Sequence, residues 1–122
     1  MTKRILVVED EEDNRRIVRD LLQASNYQLT EVENGEDAIA AVKRERPDLI
    51  LMDIHLPVMD GYEATRRMKA DPSLSSIPIV AVTSSYAVGG AQEKARAAGF
   101  DDFIPKPYSP RQLLAKIRQF LP

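Results

Sequence analysis

The chain has 122 residues, 17 basic and 19 acidic, for a net charge of −2; that length suits one domain with one core, and the balance gives no global pull toward nucleic acid or membrane lipid. It contains no cysteine, which excludes disulfides, thiolate nucleophiles and Cys-based zinc sites. No apolar run approaches the roughly 20 residues that span a bilayer, and the short run after Met1-Thr2-Lys3-Arg4 is not a secretory leader, so the expected location is the cytoplasm.

Two kinds of segment alternate along the chain. Arg4 to Val8 is a short, β-branched run that predicts a first strand. A helix is expected from about Asp13 to Ala24, with Ile17, Leu21 and Leu22 on one face. Gln28 to Val32 predicts a second strand, and Ala38, Ala41 and Val42 predict a second helix after Asn34-Gly35. Asp48 to Met52 predicts a third strand, and Tyr62, Thr65, Arg66 and Met68 a third helix after Gly61. Ile77 to Val82 predicts a fourth strand. An Ala-rich helix from about Gly90 ends at Gly99, a suitable residue just past a helix C-terminus. A short strand at Asp102 to Ile104 precedes a last helix. There Ser109 can cap, Pro110 suits the first position, and Leu113, Leu114, Ile117, Phe120 and Leu121 form a buried stripe.

Strands 1, 3 and 4 are near-continuous hydrophobic runs, as in strands covered on both faces. Strict alternation of strand and helix implies right-handed crossovers and a parallel sheet between two helical layers. The expected fold is α/β, a flavodoxin-like doubly wound (βα)5 sheet with strand order 2-1-3-4-5. Residues 1–122 are expected to form one domain, with no room for an output domain.

Ligands of such sheets bind beyond the carboxyl ends of the strands, where the winding reverses between strands 1 and 3. Strand 1 ends in Val8-Glu9-Asp10 and strand 3 in Leu51-Met52-Asp53. Three carboxylates delivered to one rim repel one another, and a hard divalent cation relieves the conflict. Mg²⁺ suits because it needs only one or two carboxylates and keeps water and phosphate in its shell. Glu11, Glu12 and Asp13 read instead as first-turn helix acids favoured by the dipole. Arg15, Arg16, Arg19, Arg66, Arg67 and Lys69 read as solvated helix faces, with contact to a partner protein as a second reading for helix 1.

Five motifs in order then resemble the receiver domain of two-component response regulators: Val8-Glu9-Asp10, Asp48 to Asp53, Pro57-Val58-Met59-Asp60-Gly61, Val82-Thr83-Ser84 and Lys106-Pro107. The resemblance implies that Asp53 is a phosphoacceptor. It implies that Glu9, Asp10 and Asp53 are the Mg²⁺ carboxylates, with the His55 backbone carbonyl as a further ligand. Thr83 would bond the phosphoryl oxygen, Lys106 would pair with Asp53 and then the phosphoryl group, and Phe103 would be the aromatic switch moving with Thr83. A cis Lys106–Pro107 bond is expected. The implied partners are a sensor histidine kinase or a histidine phosphotransfer protein, and a target on the face of helix 4, strand 5 and helix 5. The protein would act as a monomer or a phosphorylation-linked dimer.

The segment from Thr83 to Lys106 is one residue longer than the family pattern, with Ser84-Ser85 as the expected insertion. Tyr86, Ala87 and Val88 read as a flexible turn or a mobile recognition loop. The His55 side chain reads as exposed surface that tunes access to Asp53. A phosphatase of the haloacid dehalogenase type wants a second acid where His55 stands. A nucleotide or flavin carrier wants a glycine loop where Glu9-Asp10-Glu11-Glu12 stands. A receiver-like module that binds partners without phosphorylation remains the alternative.

Overall fold

The computed structural model describes residues 2–83 and 91–122. Five strands, β1 (Arg4–Val8), β2 (Gln28–Val32), β3 (Leu49–Asp53), β4 (Ile79–Thr83) and β5 (Asp102–Pro105), alternate with five helices. The helices are α1 (Glu12–Gln23), α2 (Gly35–Arg44), α3 (Gly61–Ala70), α4 (Ala91–Ala98) and α5 (Pro110–Phe120). All pairings are parallel, and the strand order is β2-β1-β3-β4-β5, as the alternation predicts. The proposed insertion at Ser84-Ser85 and the Tyr86 to Val88 turn lie outside the described residues.

Every residue of β3 and β4 is buried, and their period-2 pleat sends alternate side chains to opposite faces. Leu6, Val8, Ile50, Met52, Ile79 and Ala81 pack on one face with residues of α2, α3 and α4. Ile5, Val7, Leu49, Leu51, Val80 and Val82 pack on the other with residues of α1 and α5. The edge strand β2 is only partly buried, since it has a neighbour on one side alone.

Local chemistry fixes the helix ends. Asn34, Asp60 and Ser109 cap α2, α3 and α5 by accepting from the third residue on. Ser109 and Gln112 complete a capping box ahead of Pro110. Gly99 has φ +106, a left-handed conformation that glycine adopts without steric cost. In α5 and its C-cap, Leu113, Ile117 and Leu121 are buried, while Leu114 and Phe120 are partly so.

Helix α1 buries Leu22 and packs Leu21 against the core as expected, but Ile17 departs from that face. Ile17 is 52% exposed, and Val18 and Leu22 are the residues the helix buries. Ile17/Leu21 and Val18/Leu22 are adjacent i,i+4 pairs, so their spacing is compatible with two rotations of the helix, and docking on the sheet selects the second.

Candidate functional site

The rim above the carboxyl ends of β1, β3 and β5 gathers the charged groups. Glu9 follows the last residue of β1 and is buried; Asp53 ends β3 and is buried; Asp10 is exposed. One ligand oxygen from each of the three acids lies within 4.8 Å of the others. Lys106, just beyond β5, reaches between two of them, with Nζ 2.8 Å from Glu9 Oε1 and 3.1 Å from Asp53 Oδ2. The Lys106–Pro107 peptide is cis, as expected.

Backbone donors hold the remaining oxygens. The Glu11 N–H donates to Glu9 Oε2 at 3.1 Å, and the His55 N–H to Asp53 Oδ1 at 3.1 Å. Beneath the acids lies a cavity of about 20 Å³ whose lining includes Val7, Val18, Leu51, Val82, Tyr108 and Leu113. This apolar floor explains the electrostatics. Burial pushes the Asp53 carboxyl above its ordinary value; the charge of Lys106 opposes that rise and the charge of Glu9 adds to it. Burial acts on Glu9 in the same sense, but the hydrogen bonds from Lys106 and the Glu11 N–H outweigh it and leave that carboxyl lowered. Burial would lower Lys106, yet its hydrogen bond to Glu9 and the charge of Asp53 raise it.

Thr83 ends β4, is buried, and accepts the Lys106 N–H on its carbonyl at 3.0 Å. Phe103 is partly buried against the α2–α3–α4 side of the core. The His55 side chain is exposed, and the three acids form their group without its imidazole. The loop from β3 to α3 is drawn tight at both ends of its turn. The Met59 N–H bonds the Pro57 carbonyl at 2.6 Å across Val58, whose φ is +67, and the Gly61 N–H bonds Ile54 O at 2.9 Å. A Cβ on Gly61 would overlap the Asp53 carbonyl oxygen.

One residue of this site was read from sequence as solvated surface. The Arg15 side chain is only 11% exposed, and its Nη1 donates to the backbone carbonyl of Glu9 at 2.8 Å. The signal available in the sequence was an acid-rich surround: Glu12 one turn before it, and Glu31 and Glu33 at the end of β2.

The donor set of the three acids is all oxygen, the chemistry a hard divalent cation takes. Three carboxylates against one ammonium leave two negative charges for such an ion to balance. The residues therefore fit Mg²⁺.

Comparison with known proteins decides the family, because residues 5–118 match the response regulator receiver domain. The chain belongs to the response regulator receiver domain family. Among curated relatives of this receiver, the polar-differentiation response regulators DivK of Brucella anthropi and Brucella abortus are 40% identical over 121 residues, covering 99% of this chain and 98% of theirs. The receiver domain of a sensor histidine kinase from Pseudomonas aeruginosa, solved with a magnesium ion coordinated in its active-site cleft, superposes with a TM-score of 0.90. It is 35% identical, and the match covers 99% of this chain and 98% of that one. The chemotaxis response regulator CheY4 of Vibrio cholerae gives a TM-score of 0.91 at 26% identity, over 98% of this chain and 99% of its own.

Proposed function

We propose that this receiver is a single-domain response regulator that accepts a phosphoryl group on Asp53 in a Mg²⁺-dependent reaction, from a sensor histidine kinase or a histidine phosphotransfer protein. The observation that carries the reading is the convergence of Glu9, Asp10 and Asp53 with Lys106 hydrogen-bonded between two of the acids. Relatives matched over 98% of their length support reading residues 1–122 as one receiver domain. No described helix is long and apolar enough to cross a membrane, which is consistent with action in the cytoplasm.

Phosphoryl transfer asks for positioning and charge neutralisation more than for covalent assistance. A carboxylate oxygen of Asp53 attacks phosphorus, the bond from phosphorus to the donor histidine nitrogen breaks, and an acyl phosphate results. Glu9, Asp10, Asp53 and the His55 carbonyl would hold Mg²⁺, which when bound supplies charge stabilisation to the phosphoryl oxygens. Lys106 exchanges its contact with Asp53 for one with the new phosphoryl group, and Thr83 donates a directed hydrogen bond to it. The transfer is the receiver's own single turnover, so the protein is a signalling phosphoacceptor and its slow hydrolysis resets it.

Readout follows from the added charge, nearly two units with strong acceptor oxygens. Movement of Thr83 toward the phosphoryl group frees space for Phe103 to turn inward, and the face of α4, β5 and α5 changes for a downstream partner or for onward relay. The His55 side chain, at the rim two residues beyond Asp53, tunes access of water. Incubation with Mg²⁺ and a small-molecule phosphodonor, followed by intact-mass measurement, tests the proposal. One phosphoryl group is expected on the wild type and none on Asp53→Ala. An unmodified wild type would leave a partner-binding module that phosphorylation does not regulate.

A further inference from the structure

Building on the proposed magnesium site, we infer that Arg15 is a positioning residue of the acid cluster, setting through the Glu9 backbone how β1 presents Glu9 and Asp10 to a divalent cation.

Glu9 lies one residue past the paired register of β1, which ends at Val8 against both Val32 and Met52. Its N–H still reaches Val32 O at 3.0 Å. Its carbonyl takes the Arg15 guanidinium at 2.8 Å. The Glu9 peptide is thus held from both sides while its carboxylate is held by Lys106 and the Glu11 N–H. The guanidinium is itself fixed by acids from two elements. It pairs with Glu12 of α1, and it lies 3.6 Å from Glu31 and 3.5 Å from Glu33 at the end of β2. The planar fork meets these partners and the carbonyl from three nitrogens, Nε, Nη1 and Nη2, a wider spread than the single nitrogen of an ammonium. Arg19 supplies the internal comparison. It bonds both oxygens of Glu31 and reaches Glu12, on the same two elements, and among the described residues none of its hydrogen bonds goes to Glu9.

Charge and positioning predict opposite signs for cation binding. Removing a nearby positive charge alone strengthens Mg²⁺ binding at three carboxylates. Removing the support of a ligand's backbone weakens it, by about tenfold to a hundredfold for groups that orient metal ligands.

Isothermal titration of Mg²⁺ into wild type, Arg15→Ala, Arg15→Lys and Arg19→Ala reads the difference, with circular dichroism establishing the folded fraction of each. Arg15→Ala is expected to bind Mg²⁺ at least about tenfold more weakly. Arg15→Lys should lie between it and the wild type, and Arg19→Ala should bind as tightly as the wild type or tighter. Arg15→Ala binding that equals or exceeds the wild type overturns the inference, as does an equal weakening by Arg19→Ala. If Arg15→Ala does not fold, Arg15→Lys decides, and wild-type affinity there overturns it. A wild type that takes up no Mg²⁺ overturns the magnesium reading and this role together, an outcome distinct from the others.

Discussion

Substituting Gly61 by alanine tests how the start of α3 sets the position of Asp53. The new Cβ would overlap the Asp53 carbonyl oxygen and stand 2.9 Å from Ile54 Cα and 3.1 Å from Met52 Cγ. The Met52 side chain can turn aside, but the first two obstacles are backbone of β3 and its exit. Ordinary contact between heavy atoms is about 3.5–4.0 Å, so the strand end or the helix start must shift by roughly 1 Å. Overpacking of this kind costs about 1–3 kcal/mol. Loss of the Gly61 N–H bond to Ile54 O adds about 1 kcal/mol, and the stiffer unfolded chain returns about 0.4–1 kcal/mol. The expected net loss is about 2 kcal/mol. At about 2.1 cal/mol/K of unfolding entropy per residue over 122 residues, that lowers Tm by about 8 °C. Because the displaced peptide belongs to Asp53, phosphorylation should slow by about 100-fold, as misplacements near 1 Å do at reacting groups. Thermal unfolding followed by circular dichroism and a phosphodonor time course by intact mass measure the two effects. A Gly61→Ala protein with wild-type Tm and wild-type rate would refute the reasoning.

Two further substitutions probe the interior. The Thr65 hydroxyl is buried with no hydrogen-bond partner among the described residues, so Thr65→Val should raise stability by about 1–2 kcal/mol in urea unfolding, and an unchanged or lowered midpoint would show that the hydroxyl is satisfied. Asp53 carries a carboxyl raised mainly by burial; its ionised form therefore costs stability above its folded-state pKa, a cost that disappears as pH falls below its unfolded value. Without Mg²⁺, Asp53→Asn should be more stable than the wild type near neutrality and converge with it on acidification, whereas a gap that widens toward low pH would contradict the assignment.

Most of the fold was legible because hydrophobic patterning and connectivity are local signals. The runs of β1, β3 and β4, the Ser109-Pro110 start and the Gly99 stop each declare an element without knowledge of the rest. Element ends shifted by a residue or two, as at β3 and β4, where the last strand residues Asp53 and Thr83 are polar and a hydrophobic run stops short of them. Leu21 and Leu22 of α1 were legible, but the choice of Val18 over Ile17 one turn earlier was not, since each stands four residues from a leucine until the sheet is in place. The convergence of Glu9, Asp10 and Asp53 followed from the switch point of the topology. Arg15 was missed because nothing in the spacing of a charged helix residue says that a carbonyl at the end of a strand needs its donor.

The two contacts of Lys106 join it to Glu9 across 97 residues of chain and to Asp53 across 53. A chain emerging from the ribosome would hold β1 through β4, with every acid of the cluster, before the lysine that balances them exists. For Asp53 as the proposed phosphoacceptor, the charge site is complete only once β5 and Lys106 have been made, and a receiver cut short before Lys106 would keep its acids without that partner.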